Sequence, residues 1–143
     1  MRVLMVCLGN ICRSPAAEVV LRHMAAQGGR ATIEVDSCGT SGWHQGQSPY
    51  GPMITASAAR GYELRGLRAR KLHRDDFTRF DLIVALDQSI LHDIEKLRPA
   101  TSTIPAQLLN IPAGAVPDPY YTRDFDQALD LIETGCRSLL DGM

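Results

Sequence analysis

The chain has 143 residues, of which 45% are hydrophobic and 22% are charged, a composition typical of a folded domain and unlike that of a disordered chain. Its formal net charge of −1 argues against binding to nucleic acid or to a membrane surface through bulk electrostatics. The sequence contains no apolar run long enough for membrane insertion as a helix, and its length predicts one domain over residues 1–143.

The first half of the chain alternates between strand and helix patterns. Its signals are continuous apolar runs for buried strands, apolar stripes at helical spacing for helices, and a segment rich in glycine, proline and serine for a loop. In chain order we expect a strand at 2–7, a helix from an N-cap at Ser14 to Gly28, a strand at 32–37, a loop at 39–52 and a helix at 53–60.

The second half continues the alternation. In chain order we expect a strand at 80–87, a helix at 88–97, a weak edge strand at 101–109, a loop at 113–124 and a helix that starts with a capping box of Asp124 and Gln127. This order predicts an α/β fold, a small doubly wound three-layer sandwich with a parallel sheet. In such sheets ligands bind beyond the carboxyl ends of the strands, which is where the loop after the first strand lies.

That loop lies within VCLGNICRSP, residues 6–15, and it brings reactive side chains together. Backbone N–H groups at a strand-to-helix turn form a nest for a tetrahedral oxyanion such as phosphate, and Arg13 would bind the anion through paired hydrogen bonds. Gly9 lets the backbone approach closely. The same positive field favours the thiolate of Cys7, to which Ser14 would donate a hydrogen bond. The pattern therefore predicts a nucleophile beneath a phosphate, the alternative being a buried apolar cysteine.

This stretch resembles the phosphate-binding signature of the low-molecular-weight protein tyrosine phosphatases. Four further motifs resemble that family in the same order: DS..TSGWH (36–44), ARKL...DF (69–77), ALD (85–87) and DPYY (118–121). The resemblance implies a flavodoxin-like sheet of four parallel strands and metal-independent hydrolysis of phosphotyrosine through a phosphocysteine on Cys7. The residues that would bind phosphate form the phosphate loop: Leu8, Gly9, Asn10, Ile11, Cys12, Arg13 and Ser14.

Hydrolysis of a phosphate ester needs an acid that protonates the leaving oxygen, and Asp118 is the candidate. Prolines on both sides stiffen its loop, although an aspartate before proline is by itself more often a turn residue. The resemblance implies that Asp118 acts as the general acid and then as the base for water.

Aromatic residues in the two long loops are candidates for substrate recognition, the alternative being that they cover the end of the sheet. The resemblance implies that Trp43 and Tyr120 are walls of a slot deep enough for an aryl phosphate, with Tyr121 nearby. It also implies supporting roles for Asn10 and Ser14 in the loop and for Ser37 outside it.

Asp87 follows the third predicted strand, and two interpretations remain open for it. The resemblance implies that it supports the site, whereas its position before a helix equally predicts a cap. Cys12 lies five residues after Cys7, and oxidation of the pair to a disulfide would shield Cys7 from irreversible damage.

The sequence departs from the family pattern at three positions. Leu67 stands where a histidine often braces the phosphate loop, so that brace is absent or replaced. Tyr50 and Pro52 stand where an aspartate and an arginine are usual, which leaves the conformation of 44–53 open.

A basic run over 60–74 is interpreted as a solvated face, with a surface for acidic phosphoproteins as the alternative.

The four cysteines are too few and too scattered for a secreted disulfide scaffold, so we expect free thiols and a cytoplasmic location. The apolar stretch after Met1 is too short for a signal peptide, and secretion without one is the alternative. No C-x-x-C pair is present for zinc, and we predict neither metal nor cofactor. We expect a monomer or a weak homodimer.

Three other functions are less consistent with the sequence than phosphotyrosine hydrolysis. Arsenate reductases of this fold need further cysteines on a mobile segment, and residues 61–90 contain none. Arginine phosphatases typically have threonine where Ile11 stands. A silent phosphoprotein-binding module would lack Cys7 or Asp118, and both are present. The expected partner is a tyrosine-phosphorylated protein, with a bacterial tyrosine kinase as one candidate.

Overall fold

Strands and helices alternate along the computed structural model, which describes residues 1–30 and 32–143. In chain order the elements are β1 (Arg2–Cys7), α1 (Arg13–Gln27), β2 (Glu34–Gly39), α2 (Gly51–Ala58), α3 (Asp76–Arg79), β3 (Leu82–Ala85), α4 (Gln88–Leu97), β4 (Ala106–Leu108), α5 (Pro119–Thr122) and α6 (Phe125–Asp141). Among these residues no helix combines the length and the apolar character that a membrane span requires.

The strands form one parallel sheet in the order β2-β1-β3-β4. Side chains alternate between the two faces of β1, and both faces are buried. Val3 and Met5 pack in the core that α1 and α6 cover, whereas Leu4 and Val6 pack in the core on the side of α3 and α4. The predicted α/β sandwich with four parallel strands is confirmed.

The predicted strand boundaries needed correction. The second strand runs over Glu34–Gly39 rather than 32–37, because its pairing with β1 continues to the bridge between Cys7 and Gly39. The fourth strand is only Ala106–Leu108 and lies at the sheet edge, as Pro105 predicted. The short helices α3 and α5 were not predicted, since four residues carry no periodic signal.

The prediction that Ser14 caps the first helix is wrong. The helix α1 begins at Arg13 after Cys12, and no side chain caps it. The Ser14 hydroxyl is buried and bonds to groups outside the helix. The capping box at α6 is half formed, because Asp124 accepts a hydrogen bond from the backbone N–H of Gln127 at 2.9 Å, while its own N–H donates to Thr122.

Helix α6 approaches the chain after β4 through a glycine. A Cβ added at Gly135 would lie 2.7 Å from Cδ2 of Leu109 and 2.9 Å from Cγ2 of Ile111, both of which are buried. The close approach of the helix to these side chains therefore depends on the absence of a side chain at position 135.

We expect Gly135→Ala to lower the free energy of unfolding by about 1 kcal/mol. Overpacking a filled core costs ~1–3 kcal/mol, while alanine gains about 1 kcal/mol over glycine inside a helix. The matched control is Gly142→Ala at the end of α6, where the nearest atoms lie 3.7 Å away. Urea denaturation compares the variants, and an equal change in both contradicts the packing argument.

Candidate active site

A cleft opens where β1 and β3 end at their carboxyl termini. Its space, with the solvent at its mouth included, measures about 400 Å³, and it joins the phosphate loop to two other segments of the chain. Its lining residues are Cys7, Leu8, Gly9, Ile11, Cys12, Arg13, Trp43, His44, Asp118, Tyr120 and Tyr121. The structure thus brings together the predicted nucleophile, arginine, acid and aromatic residues, although Arg13 and Asp118 are 105 positions apart in sequence.

The Cys7 sulfur lies at the base of this cleft, 3.0 Å from the Ser14 hydroxyl oxygen. That oxygen also accepts a hydrogen bond from Nδ2 of Asn10 at 2.8 Å and donates to the carbonyl of Cys38 at 3.2 Å. Ser14 has only one hydroxyl hydrogen, and a thiolate can only accept. When Cys7 is protonated, the Ser14 hydroxyl donates its hydrogen bond to the Cys38 carbonyl. When Cys7 is ionised, the same hydroxyl would donate to the sulfur instead.

Asn10 holds the phosphate loop in a conformation that is unfavourable for most residues. Its φ is 56°, in the left-handed region. The side chain lies behind the loop, where Nδ2 donates to the hydroxyls of Ser14 and Ser37 and Oδ1 accepts from the backbone N–H of Arg70 at 3.0 Å. Neither Asn10 nor Ser14 lines the cleft, so both side chains support the loop from the side that faces the protein interior.

The network continues to a residue that the sequence did not indicate. Ser37 donates to the buried carboxylate of Glu18 at 2.6 Å, and Glu18 also accepts from Arg22. Ser14, Glu18 and Arg22 are spaced four residues apart on α1, which places them on one face of the helix. That spacing in the sequence could have indicated that Glu18 lies on the same side of α1 as Ser14, but not that it contacts Ser37.

Arg13 is only 3% exposed and is the buried cation of the site. Its Nη1 donates to Oδ2 of Asp87 at 2.7 Å and to the carbonyl of Val116 at 3.0 Å, and its Nη2 lies 3.5 Å from Oδ2 of Asp118. Burial lowers its pKa, but Cys7, Asp87 and Asp118 outweigh burial and hold the pKa above its ordinary value. Arg13 therefore stays charged.

The Nε of Arg13 is buried and has no hydrogen-bond partner among the described residues. A buried donor on a cation is costly to leave unpaired, and Arg13 lines the cleft beside Cys7. The arrangement is therefore suited to an anion that enters the cleft and accepts from this nitrogen.

Both predictions for Asp87 describe contacts that are present. One carboxylate oxygen accepts from Arg13, and the other accepts from the N–H of Ile90 as the cap of α4. Asp118 caps α5 in the same way, with Oδ1 accepting from the N–H of Tyr120 at 3.1 Å, and it is half-buried at the cleft.

Aromatic side chains form the rim of the cleft. Trp43 is 77% exposed and Tyr121 is 71% exposed, whereas Tyr120 is less exposed and packs between neighbouring rings. His44 also lines the cleft, with its ring centroid 6.4 Å from that of Tyr120, and the sequence had placed it only within the TSGWH motif. The rim leaves apolar faces available to a flat ring.

The sequence profile of the family described as low molecular weight phosphotyrosine protein phosphatase matches residues 2–143. The chain belongs to this family. The cysteine, arginine and aspartate that meet in the cleft are thus part of a phosphatase, an enzyme that hydrolyses phosphate esters.

Relatives of this phosphatase match over nearly their whole length. A low molecular weight protein-tyrosine-phosphatase of Bacillus subtilis, YfkJ, is 38% identical over 96% of this chain and 92% of its own. Its crystal structure has a TM-score of 0.93, with 36% identity, over 99% of this chain and 93% of that chain. A putative low molecular weight protein-tyrosine-phosphatase of Synechocystis is 40% identical over 100% of this chain and 96% of its own.

An arginine phosphatase of Drosophila also shares the fold. It is 29% identical, with a TM-score of 0.93 over 99% of this chain and 97% of that chain. The backbone is thus common to relatives with different names, and the substrate has to be inferred from the side chains around the cleft.

The phosphatase supports its phosphate loop without the expected histidine. Leu67 is half-buried against the core, and the backbone N–H of Arg70 bonds to Asn10. The guanidinium of Arg70 is held by two hydrogen bonds to the buried carboxylate of Asp76 and a third to Asp36. The segment around Arg70 is therefore fixed by a buried ion pair.

Glycine at position 39 is also required beside the loop, which the sequence did not reveal. A Cβ there would lie 2.6 Å from the carbonyl oxygen of Leu8 and 3.1 Å from the backbone nitrogen of Asn10. These are backbone atoms that cannot move without reshaping the phosphate loop.

Three of the four thiols of the phosphatase are disfavoured as thiolates. Burial, with the nearby Cys7 and Asp118, raises the pKa of Cys12 to about 12, and burial raises the pKa of Cys38 and of Cys136. All four cysteines are free, and a Cys7–Cys12 disulfide stays a prediction. Over residues 1–30 and 32–143, no cluster of three or more His, Cys, Asp or Glu could hold a metal ion.

We expect iodoacetamide at neutral pH to modify Cys7 before Cys12. Both line the cleft, and the raised pKa keeps Cys12 a thiol at neutral pH, a form that is alkylated far more slowly than a thiolate. Peptide mass mapping over time measures the order, and added inorganic phosphate is expected to slow the reaction at Cys7. Cys12 reacting as fast as Cys7 contradicts this assignment.

Proposed function

We propose that this phosphatase hydrolyses phosphotyrosine in proteins through a phosphocysteine on Cys7. The observation that carries the proposal is the buried, unpartnered Nε of Arg13 in the cleft that also contains the Cys7 sulfur. A phosphate group would satisfy that donor, and the N–H groups of the phosphate loop, Leu8 to Ser14, would bind its remaining oxygens.

In the first step the Cys7 thiolate attacks phosphorus. The sulfur–phosphorus bond forms as the bond from phosphorus to the tyrosine oxygen breaks, and that oxygen takes the proton of the Asp118 carboxylic acid. Arg13 and the loop amides stabilise the charge on the three phosphoryl oxygens in the transition state. The products are the tyrosine hydroxyl and phosphocysteine.

In the second step a water molecule attacks the phosphocysteine. Asp118, now a carboxylate, accepts the proton from water, and the sulfur–phosphorus bond breaks with its electron pair returning to Cys7. Inorganic phosphate leaves, the thiolate is restored, and Asp118 is again protonated. Ser14, 3.0 Å from the sulfur, supports the thiolate in both steps by donating its hydroxyl hydrogen.

Selectivity for an aryl ester is supported by the rim of the cleft. Trp43, Tyr120 and Tyr121 present aromatic faces to a tyrosyl ring, and a seryl phosphate is too short to reach both the rim and the phosphate loop. Ile11 adds an apolar side chain to the cleft lining and offers no hydrogen bond to a guanidinium. We therefore infer a tyrosine-phosphorylated protein as the partner, with a bacterial tyrosine kinase as one candidate.

We expect Cys7→Ser to lower the turnover of p-nitrophenyl phosphate by about a thousandfold or more, because serine lacks the thiolate nucleophile. Phosphate should still raise the melting temperature of the variant, which would show that the cleft remains intact. Equal rates for the variant and the wild type contradict the mechanism. Faster release of phosphate from phosphoarginine than from phosphotyrosine contradicts the substrate class.

Asp118→Asn should slow the reaction most for substrates with poor leaving groups, because these depend on protonation of the departing oxygen. We expect phenyl phosphate to lose about a hundredfold in kcat/KM and p-nitrophenyl phosphate to lose less. The measurement is kcat/KM across a series of substituted phenyl phosphates, because this ratio reports the first step, in which the leaving group departs. The same loss for every leaving group would show that Asp118 is not the acid.

A further inference from the structure

Arg123 adopts a backbone conformation that is normally left to glycine. Its φ is 63°, and it lies directly after α5, the single helical turn that Asp118 caps at its other end. Left-handed backbone costs a residue with a Cβ about 1–2 kcal/mol. Such strain persists where surrounding contacts hold it, and it is concentrated at functional sites.

Arg123 contacts neighbouring residues and also Tyr50, which comes from another loop. Its Nη1 donates to the hydroxyl of Tyr50 at 2.9 Å, and its guanidinium carbon lies 5.2 Å from the centroid of the Tyr50 ring and 5.4 Å from that of Phe125. The guanidinium thus interacts with Tyr50 both through the hydroxyl and over the ring face. Arg123 is exposed and Tyr50 is half-buried.

Tyr50 in turn contacts the phosphate loop and the rim. Its backbone N–H donates to the carbonyl of Ile11 at 2.8 Å, and its ring centroid lies 5.2 Å from that of Tyr120. One residue therefore touches the loop beneath the substrate, the aromatic wall beside it and the arginine that ends α5.

The single turn of α5 has little stability of its own, because short helices depend on tertiary contacts. At its start, Asp118 is connected to the site through a 3.5 Å contact with Arg13. At its end, the contact of Arg123 with Tyr50 connects the helix to the phosphate loop. Asp118 is the first of these attachments, and Tyr120 lies between the two.

We propose that the Tyr50–Arg123 contact positions Asp118 and Tyr120 over the phosphate loop. Through this positioning, Tyr50 and Arg123 contribute to the selectivity for aryl phosphates. The inference rests on the proposed function, because it assigns positioning residues to that reaction. Neither Tyr50 nor Arg123 touches the reacting atoms. They act through the acid and the aromatic wall, which predicts effects on leaving-group dependence and on KM.

The test uses Tyr50→Phe, Arg123→Gly and the double variant in the full chain. Tyr50→Phe keeps the ring and removes only the acceptor oxygen. Arg123→Gly removes the side chain and relieves the left-handed backbone, so its melting temperature should not fall. The control is Arg65→Ala, because Arg65 is exposed and its ion pair among the described residues is with Glu63, outside the cleft.

Each single variant should lower kcat/KM for phenyl phosphate about fivefold, with a smaller loss for p-nitrophenyl phosphate, and should raise KM for both. The double variant should lose no more than Arg123→Gly alone, since both changes remove the same contact. Arg65→Ala should match the wild type.

Provided that the wild type turns over its substrates, three results overturn the inference. They are additive losses in the double variant, losses that do not depend on the leaving group, and rates of the single variants equal to those of Arg65→Ala. Absence of Cys7-dependent turnover in the wild type overturns the proposed function and this inference with it. A lower melting temperature for Arg123→Gly, with unchanged leaving-group dependence, would assign Arg123 to stability alone.

Discussion

A buried guanidinium sets the geometry of the whole cleft. Arg13 must be paired because an uncompensated cation in the interior is costly, and its partners come from separate parts of the chain. Asp87 follows β3, while Val116 and Asp118 belong to the segment before α5. Pairing with Arg13 therefore brings both segments against the phosphate loop, and it leaves the buried Nε without a partner among the described residues.

Two residues near the same cleft have a strained backbone. Among the described residues other than glycine, positive φ occurs only at Asn10 and Arg123. Side-chain contacts hold both of them: Asn10 through Ser14, Ser37 and the N–H of Arg70, and Arg123 through Tyr50. The rest of the fold supplies the contacts that compensate for this strain, which is the pattern expected of a functional site.

Much of the fold was predictable because its signals are local. The apolar run of β1 and the stripe of α6 repeat with strand and helix periods, and alternation then implied a parallel sheet. Boundaries were less predictable, because β2 ends where its pairing with β1 ends and not where its apolar residues end. The Ser14 cap failed for a similar reason: the hydroxyl is used by Cys7 and Asn10 rather than by its own helix.

The sequence by itself determined the order of the strands and longer helices, the phosphate loop and the identity of Cys7, Arg13 and Asp118 as candidates, since these depend on short motifs and their spacing. Only the tertiary structure decided that Glu18, Arg70 and Tyr50 support the loop. Their contacts join distant parts of the chain, and a hydrogen bond between such residues depends on how the sheet and helices pack. No local pattern in the sequence records that packing.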